Sequence, residues 1–425
     1  MNIALIGSGG RESALAWAIS RSPLCGSLYI LPGNGGTSKY GRNVLVELKP
    51  PFNDILEFVE LARIELVVVG PEEPLVNGIV DVLSKKKVKV FGPSQKAARL
   101  EGSKAYLKEF LDKYSIPTAK FKIFSDSEEA IYFVTKSNKP FVVKTDGLAA
   151  GKGSIVCKTV DETLEAIRRI MIKKEFGDAG NKIIVEDVLS GIELSVFIVT
   201  DGRDYKWLAT AQDHKRIYDN DEGPNTGGMG AYSPVPFLDE KTRFIIEENI
   251  IKPTISGMQK EGTPYKGILY LGLMLTDFGP VVIEYNVRLG DPEAQAILPL
   301  LKTDFVELAL ATIEGKLNEI KLDFYPGYST CVVIASGGYP GPFRKGYEIK
   351  GDLNDENDIF VFHAGTRLEN GKFYTNGGRV LAITARGHTL RESIEKAYQK
   401  VEKIYFENMH YRKDIGKKGL NFCRS

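Results

Sequence analysis

Residues 141–156 have the sequence FVVKTDGLAAGKGSIV, in which two apolar runs flank a loop with three glycines. This pattern predicts a strand, a glycine loop and a second strand. The segment is not a Walker A loop, because three residues rather than four separate Gly147 from Gly151 and a strand follows where a helix is required. We interpret it as a mobile hairpin that folds over a triphosphate, with Lys144 and Lys152 facing the phosphates. An ordinary glycine hairpin without a ligand is the alternative.

A second strand-like run carries polar side chains at alternate positions. In the sequence VVIEYNVRLGDPE of residues 281–293, a strand period of two puts Glu284, Asn286 and Arg288 on one face. Carboxylate and amide oxygens suit magnesium, and an arginine can grip a phosphoryl group during its transfer. A strand face that is merely solvated is the alternative. The opposite face is expected to be apolar and carries Ile283, Tyr285 and Val287.

The first glycine-rich loop, Gly7-Ser8-Gly9-Gly10-Arg11, lies where a predicted strand turns into a helix. Free backbone amides and the helix dipole favour phosphate at such a place. A dinucleotide site is excluded, because Glu12 occupies the position of the third glycine and the second predicted strand ends without a carboxylate. Arg11 instead suits a terminal monophosphate, and Glu72, which follows the third predicted strand, suits sugar hydroxyls. A tight turn without a ligand and a solvated glutamate are the alternatives.

The length of 425 residues predicts two to four domains. Residues 1–102 alternate short apolar runs with helical stretches, which is typical of a parallel α/β sheet that binds ligands at the carboxyl ends of its strands. Residues 121–189 are expected to form a small separate lobe and residues 190–318 a body of long strands. Residues 319–425 are expected to form a last domain, with a helix from Thr389 to about Asn408.

Composition and charge exclude several classes of protein. Lys and Arg number 56 and Asp and Glu number 55, so no overall field attracts nucleic acid or an anionic membrane, and neither is an expected partner. Glycine is frequent: 43 of the 425 residues are glycine, which exceeds the ordinary share of about 7%. The four widely spaced cysteines predict isolated reduced thiols. The amino terminus lacks a signal-peptide pattern and no apolar stretch reaches the ~18 residues of a membrane span, so we expect a cytoplasmic protein.

Four longer motifs together make the sequence recognisable. The chain resembles the phosphoribosylamine–glycine ligases, also called glycinamide ribonucleotide synthetases, which are members of the ATP-grasp superfamily. Two positions depart from the typical pattern of this family: Ser13 stands in place of a histidine, and Leu289 in place of a phenylalanine. The motifs that carry the resemblance are Asp146 to Gly153, Gln212 to Arg216, Gly223 to Tyr232 and Arg288 to Gln295.

The resemblance implies a multidomain fold of the α/β and α+β classes and a ligase activity. Residues 1–102 would form a Rossmann-like parallel-sheet domain, residues 103–318 a two-lobed ATP-grasp core with a small lid lobe at about 121–189, and residues 319–425 a small α+β domain. Members of this family join glycine to 5-phosphoribosylamine in purine biosynthesis, hydrolysing ATP to ADP and phosphate through a glycyl phosphate, with Mg²⁺ or Mn²⁺. The expected partners are these small molecules, and the expected state is a monomer or a weak homodimer.

The resemblance also assigns residues to the nucleotide and to the metal. Glu284 and Asn286 would hold the metal ion, and Glu193 would take the ribose hydroxyls of ATP. The other residues expected to hold ATP are Lys104, Lys144, Gly147, Gly151, Lys152, Gly153, Glu186 and the backbone of Val188.

Catalytic and substrate-binding residues follow from the same comparison. Arg288 would steady the acyl phosphate, and Asp213 with Asp291 would orient glycine through its ammonium group. His214 is either functional or a satisfied structural histidine, and residues 375–379 would wall the sugar pocket. The residues expected at the substrates are Asn225, Thr226 and Gly227 in a closing loop, and Gly9, Gly10, Arg11 and Glu72 at the phosphoribosylamine.

Two rival functions are kept beside this one. The first is another ATP-grasp ligase, such as a carboxylase-like enzyme that acts on a purine precursor, and the second is a nucleotide-binding regulatory protein without turnover. A biotin-dependent enzyme is not favoured, because the sequence has no attachment site of the Ala-Met-Lys-Met type.

Overall fold

A computed structural model describes residues 1–149 and 153–423 of the chain. The amino-terminal strands are β1 (Asn2–Gly7), β2 (Ser27–Pro32), β3 (Arg42–Asn43), β4 (Leu66–Val69) and β5 (Lys89–Phe91), and the helices are α1 (Gly10–Ser20), α2 (Asn53–Leu61), α3 (Glu72–Val76), α4 (Ile79–Ser84) and α5 (Gln95–Gly102). The strands form one parallel sheet in the order β3-β2-β1-β4-β5. The chain places β2 and β3 on one side of β1, and β4 and β5 on the other side. The loops that follow β1 and β4 therefore diverge and leave a crevice at the carboxyl edge of the sheet.

A small antiparallel sheet follows, and we call this part the lid lobe. Its elements are α6 (Lys104–Lys113), β6 (Phe121–Phe124), α7 (Ser127–Ser137), β7 (Phe141–Thr145), β8 (Ser154–Val156), α8 (Val160–Ile167) and β9 (Ile183–Asp187). The strand order is β6-β9-β7-β8, with Lys144 paired to Ser154 across the β7–β8 hairpin. The two predicted strands and their pairing are therefore confirmed, whereas Gly151 and Lys152, on which part of the nucleotide prediction depends, lie outside the described residues.

The next elements build the larger lobe around long antiparallel strands. They are β10 (Ile192–Thr200), β11 (Tyr205–Asp213), β12 (Arg216–Tyr218), β13 (Glu222–Asn225), β14 (Gly230–Ser233), α9 (Glu240–Ile246), α10 (Lys252–Lys260), β15 (Gly267–Thr276), β16 (Gly279–Asn286), α11 (Glu293–Ile297) and α12 (Phe305–Glu314). Strands β16, β15, β10, β11 and β14 are neighbours in that order, and β12 pairs with β13 as a separate hairpin. Leu269, Leu271 and Leu273 of β15 are fully buried in this body.

The carboxyl-terminal elements continue the same sheet. They are β17 (Tyr328–Ser336), β18 (Glu348–Gly351), β19 (Ile359–His363), β20 (Thr366–Glu369), β21 (Lys372–Thr375), β22 (Arg379–Gly387), α13 (Leu390–Val401), β23 (Ile404–Tyr405), β24 (Met409–His410) and α14 (Lys417–Leu420). The short strand β14 pairs with β11 on one side and with β17 on the other, so one nine-stranded sheet crosses the boundary that the sequence suggested near residue 318. The last long helix ends at Val401 rather than near Asn408, because the chain turns into β23 there.

These features confirm the predicted fold class, with a parallel amino-terminal sheet, a two-lobed middle and mixed α and β structure throughout. All four cysteines are free thiols. Within residues 1–149 and 153–423, no helix is long and apolar enough to cross a membrane.

His214 is buried away from the polar cleft described below. Its side chain is 1% exposed, and its Nε2 accepts a hydrogen bond from the backbone of Gly416 at 3.4 Å. Burial, together with the charges of Arg412 and Lys418, lowers the pKa of His214 to about 4. These contacts favour the structural interpretation of His214 over the functional one.

We expect His214 to make the fold sensitive to acid. The folded state holds its imidazole neutral down to about pH 4, whereas an unfolded histidine takes up a proton near pH 6.5. Stability is therefore lost as the pH falls from about 6.5 towards 4, by about 2 kcal/mol at pH 5 for this residue alone.

Urea unfolding of His214→Gln at pH 7 and pH 5 should show a smaller loss of stability between the two pH values than in the wild type. His388→Gln, which removes an exposed histidine of the same region, is the control and should keep the full loss. An unchanged pH dependence in His214→Gln would contradict this assignment.

Candidate active site

Two lysines from the lid side lie beside the glycine hairpin and β16. Lys104, at the start of α6, donates from Nζ to the carbonyl oxygen of Gly147 at 2.9 Å. Lys144, on β7, donates to the carbonyl oxygen of Ile283 at 3.0 Å. Asp146 accepts a hydrogen bond from the backbone at the start of α6, which ties the glycine hairpin to that helix. Both ammonium groups are thus held in place by backbone carbonyl oxygens of the protein.

A buried carboxylate connects two lysines at the end of β9. The Nζ of Lys144 lies 3.0 Å from Oε1 of Glu186, and the Nζ of Lys108 lies 3.0 Å from Oε2. Burial lowers the pKa of Lys108 to about 8, although Glu186 acts against this shift. Val188 lies between β9 and β10, where the lid lobe joins the larger lobe, and its side chain is exposed.

Glu193 and Asp213 line a small crevice on the face of the larger lobe. The Nζ of Lys215 lies 3.1 Å from Oε2 of Glu193. Burial raises the pKa of Asp213, while Lys215 opposes that shift. The crevice is lined by Glu193, Leu194, Ser195, Asp213, Lys215, Tyr270, Gly272, Leu273, Ile283 and Glu284.

The polar face predicted for β16 is present. Asn286 donates from Nδ2 to Oε1 of Glu284 at 3.5 Å, and Arg288 donates from Nη2 to Oδ1 of Asn286 at 3.4 Å. Tyr285 and Val287, on the other side, are 2% and 1% exposed. The period of two therefore brings the carboxylate, the amide and the guanidinium together.

The prediction for Ile283 was wrong. Gly272 of β15 pairs with Glu284 whereas Leu273 pairs with Val282, so Ile283 is the extra residue of a β-bulge. Val282 is consequently fully buried, and Ile283 lines the crevice beside Glu284. A bulge shifts every residue before it to the opposite face, and the sequence pattern does not reveal it.

Glu284 and Asn286 offer oxygen atoms that fit a magnesium ion. Burial would raise the pKa of Glu284, but Lys215, Lys144 and Lys104 together hold it below its usual range, so the carboxylate is ionised. No group of three His, Cys, Asp or Glu residues with metal-binding spacing occurs among the described residues. The pair Glu284 and Asn286 nevertheless suits Mg²⁺, because this ion takes only one or two protein carboxylates and completes its shell with phosphate and water.

Arg288 forms the centre of the polar cleft. Its Nε donates to Oε2 of Glu72 at 3.0 Å, and its Nη2 donates to Oε1 of Glu101 at 2.9 Å. A further bond runs from Nη1 to the carbonyl oxygen of Leu289 at 3.3 Å. With its bond to Asn286, the guanidinium joins β16 to α3 and α5 of the amino-terminal part.

The two carboxylates on Arg288 differ in their electrostatics. Arg288 lowers the pKa of Glu72 to about 2 against the effect of burial. Burial raises the pKa of Glu101 to about 7 despite Arg288, and its Oε2 accepts from the backbone of Val287 at 2.7 Å. Glu72 was predicted to bind sugar hydroxyls. In this structure its carboxylate forms an ion pair with Arg288.

Asp291 and Asp213 were predicted to act together, and the structure gives them different neighbours. Oδ1 of Asp291 lies 3.3 Å from Nη1 of Arg379 and accepts from Gln295 at 2.7 Å. Burial, reinforced by the charge of Asp213, raises the pKa of Glu293 to about 7. Asp213 is thus the carboxylate close to Glu293, whereas Asp291 faces the carboxyl-terminal domain.

The loop after β13 packs between these groups and β22. Thr226 donates from Oγ1 to the carbonyl oxygen of Lys215 at 2.8 Å, and Gly227 accepts from Nη1 of Arg379 at 2.7 Å. The same nitrogen donates to the carbonyl oxygen of Asp291 at 2.6 Å. The residues predicted to wall the pocket at 375–379 therefore include one that touches both the loop and the Gly-Asp-Pro turn.

The first glycine loop encloses a carboxylate of its own chain. Glu12 accepts from the backbone of Gly9 at 2.6 Å and from Nε of Arg11 at 2.6 Å. A Cβ atom on Gly7 or on Gly70 would lie within 2.4 Å of the Glu12 side chain. Gly7 and Gly70 thus leave room for the Glu12 side chain, which accepts from one backbone amide of the loop.

Arg11 makes contacts across the domain boundary that the sequence did not predict. Its side chain is 8% exposed, and Nη1 donates to the carbonyl oxygen of Leu289 at 3.0 Å. Its backbone nitrogen donates to Oδ2 of Asp291 at 3.2 Å. Arg11 therefore fastens the amino-terminal loop to the Gly-Asp-Pro turn instead of presenting a free guanidinium to a monophosphate.

Ser13, which stands in place of the family histidine, has a defined partner. Its hydroxyl donates to the carbonyl oxygen of His363, and Asn34 donates from Nδ2 to that same oxygen at 2.9 Å. The substitution thus occurs at a contact between the amino-terminal domain and β19.

Several residues of the cleft escaped the sequence reasoning. Lys215 and Glu293 belong to the motifs, and each lies two residues after a predicted site residue, Asp213 or Asp291. This spacing could have indicated that they face the same cleft. Glu101 and Lys108 lie on ordinary helical patterns, so no local signal distinguishes them. Their positions follow from helix packing alone.

Comparison with known families agrees with this geometry. Residues 1–101 match the phosphoribosylglycinamide synthetase N domain, residues 102–294 its ATP-grasp (A) domain and residues 329–418 its C domain. A phosphoribosylamine–glycine ligase of Clostridium acetobutylicum is 46% identical over 417 residues, which cover 98% of this chain and 100% of the relative.

Solved structures give the same result. The crystal structure of a Thermotoga maritima phosphoribosylamine–glycine ligase has a TM-score of 0.85 at 38% identity and covers 97% of this chain and 100% of its own. A biotin carboxylase of Campylobacter jejuni has a TM-score of 0.75 at 15% identity, covering 98% of this chain and 94% of its own, which shows a shared fold. The chain belongs to the phosphoribosylglycinamide synthetase family of ATP-grasp ligases.

Proposed function

We propose that the protein joins glycine to 5-phospho-D-ribosylamine and hydrolyses ATP to ADP and phosphate, as a carbon–nitrogen ligase of purine biosynthesis. The observation that carries this proposal is the position of Arg288. One guanidinium touches Asn286 on the predicted metal strand and Glu72 at the crevice of the parallel sheet. The residues that we assign to the metal ion and to the sugar would therefore meet at one charged group.

ATP would lie between the lid lobe and the larger lobe. Lys104 and Lys144 would neutralise the phosphates from the lid side, with the hairpin that contains Gly147, Gly151, Lys152 and Gly153 covering them. Glu186 and the backbone of Val188 would hold the base at the lobe junction. Glu193, with Lys215 at 3.1 Å, would hold the ribose hydroxyls.

Glu284 and Asn286 would hold Mg²⁺ or Mn²⁺ through their side-chain oxygens. The ion, when bound, supplies charge neutralisation on the transferring phosphate. The three lysines that keep Glu284 ionised support this role, because an ionised carboxylate is the ligand that such an ion requires.

The chemistry needs two substitutions and no side-chain nucleophile. A carboxylate oxygen of glycine attacks the γ-phosphorus of ATP, and the bond to the ADP oxygen breaks. The amine of phosphoribosylamine then attacks the acyl carbon of glycyl phosphate, phosphate leaves, and the amine gives up one proton. Arg288 would stabilise the negative oxygens of the acyl phosphate, which is the largest electrostatic demand of both steps.

The substrates would enter from opposite sides of Arg288. Asp213 would take the ammonium group of glycine, helped by the loop of Asn225, Thr226 and Gly227, whereas Asp291 would order the turn beneath that loop. The phosphoribosylamine would lie at the crevice near Gly9, Gly10 and Glu72. Arg11 would contribute by fixing the loop to Asp291 rather than by binding the phosphate. A monomeric or weakly dimeric state and a cytoplasmic location stay predictions.

We expect phosphate release only when ATP, Mg²⁺, glycine and freshly prepared phosphoribosylamine are all present. Glu284→Ala should abolish it, because the variant removes the ionised oxygen ligand. Phosphate release measured under steady-state conditions checks both points, with Phe278→Ala as a control at the fully exposed tip of the same hairpin.

Phosphate release that ignores glycine would contradict the proposed function and favour a different ATP-grasp ligase, which a panel of amine and carboxylate substrates would identify. ATP binding without turnover across that panel would favour the regulatory protein. A rate for Glu284→Ala within tenfold of the wild type, about 1.4 kcal/mol in the barrier, would contradict the metal assignment.

We expect Arg288→Lys to lower kcat at least a hundredfold, about 2.7 kcal/mol in the barrier. A single ammonium group cannot replace a planar fork that meets Glu72, Glu101 and Asn286 at once. Steady-state kinetics measures the loss, and calorimetry should show ATP binding that is close to the wild type.

Arg169→Lys is the matched control, because Arg169 also makes a two-armed pair, with Glu175, on the surface of the lid lobe. Its kcat should be unchanged. A kcat for Arg288→Lys within tenfold of the wild type would show that the fork is dispensable.

A further inference from the structure

We infer that residues 409–418, which we call the carboxyl-terminal clamp, position the glycine-binding segment 213–228, and that Arg412 is the positioning residue. The inference rests on the proposed function in one respect, since glycine is the substrate assigned to that segment. The contacts between clamp and segment stand independently of it.

The strand end at residues 213–216 has two different sides. Asp213 and Lys215 line the crevice together with Glu284. His214, between them, is buried against the clamp, and its Nε2 accepts from the backbone of Gly416. Because successive side chains of an extended chain point to opposite sides, any shift of the clamp side moves the crevice side as well.

Arg412 is fully buried: Nε and Nη2 pair with Asp414 inside the clamp, and Nη1 reaches the segment. Its side chain is 0% exposed, and Nε donates to Asp414 at 2.7 Å. Nη1 donates to Oδ1 of Asp221 at 3.0 Å and to the carbonyl oxygen of Arg216 at 3.1 Å. A guanidinium with fixed donor directions sets the relative position of its acceptors more tightly than an ammonium group does.

The turn between β12 and β13 needs this support. Asn220 and Asp221 have φ values of 58° and 56°, in the left-handed region that residues other than glycine seldom adopt. The backbone of Asn220 donates to Asp414 at 2.9 Å, and the backbone of Lys413 donates to Asp219 at 2.8 Å. Asn and Asp tolerate this region better than other side chains do, and the clamp supplies further contacts that hold the turn in place.

The held hairpin leads directly to the closing loop. The backbone of Thr226 and its hydroxyl each donate to the carbonyl oxygen of Lys215 at 2.8 Å. Gly228 donates to the Thr226 hydroxyl at 2.9 Å, and Gly227 accepts from Arg379 at 2.7 Å. A displaced hairpin therefore changes the loop and the position of Lys215 together.

Lys400 provides a matched control in the same domain. Its side chain is also 0% exposed and also meets two carboxylates, Asp352 and Glu356, at 2.7 Å each. Neither partner belongs to the segment 213–228. Loss of this cation should destabilise the domain without moving the segment.

The test compares Arg412→Met with Lys400→Met in the full-length protein. Amide hydrogen exchange over residues 215–228 should accelerate at least tenfold in Arg412→Met and stay unchanged in Lys400→Met. The KM for glycine should rise at least tenfold in Arg412→Met, while the KM for ATP stays within threefold. Both KM values should stay within threefold of the wild type in Lys400→Met.

If Arg412→Met does not fold, Asp221→Asn, which removes the negative charge that faces Arg412 at an exposed site, takes its place in the same measurements. Unchanged exchange over residues 215–228 would overturn the inference, as would faster exchange with an unchanged KM for glycine, or an equal rise of that KM in both variants. The exchange measurement needs no substrate, so a wild-type protein that does not use glycine would refute the proposed function while leaving the exchange result readable.

Discussion

The placement of one guanidinium, that of Arg288, controls how the parts of this protein fit together. Its neighbours come from three elements: Asn286 from β16, which is an edge strand of the large sheet, Glu72 from α3, and Glu101 from the end of α5. Leaving such a charge without partners in a buried position would cost several kcal/mol. The amino-terminal sheet and the large lobe are therefore held in the one arrangement that satisfies it.

The electrostatics of the site depend on charges that lie close together, and the net charge of the chain does not reveal them. The chain as a whole is almost neutral, yet three lysines lie around Glu284 and two arginines lie against Asp291. Each of these cations has a carboxylate or carbonyl partner within the protein. Positions fixed in advance reduce the reorganisation that the charged transition state would otherwise require.

The glycine excess has a related origin. Cβ atoms at Gly9 and Gly10 would lie within 3.1 Å of Asp291 and 2.4 Å of Gln295, so these residues permit the amino-terminal loop to approach the Gly-Asp-Pro turn. Gly7 and Gly70 make room for Glu12. Several of the glycines thus serve contacts between domains, in addition to any contact with phosphate.

Sequence patterns predicted those features that depend on local periodicity. The alternation of Glu284, Asn286 and Arg288, the β7–β8 hairpin and the parallel amino-terminal sheet all follow from spacing within one element. The bulge at Ile283 did not, because the pairing with β15 creates it. The filling of the first loop by Glu12, and the continuation of the sheet through β14, a strand of four residues, likewise depend on partners that are distant in the chain.

In the proposed mechanism, glycine is activated as an acyl phosphate at Arg288 before the amine attacks it. Glycine labelled with ¹⁸O in both carboxylate oxygens tests this directly, with the released phosphate analysed by mass spectrometry after turnover with ATP and phosphoribosylamine. The account predicts one ¹⁸O atom in each phosphate released, because the carboxylate oxygen that attacks phosphorus leaves with it. Phosphate without the label, formed while product accumulates, would contradict the account.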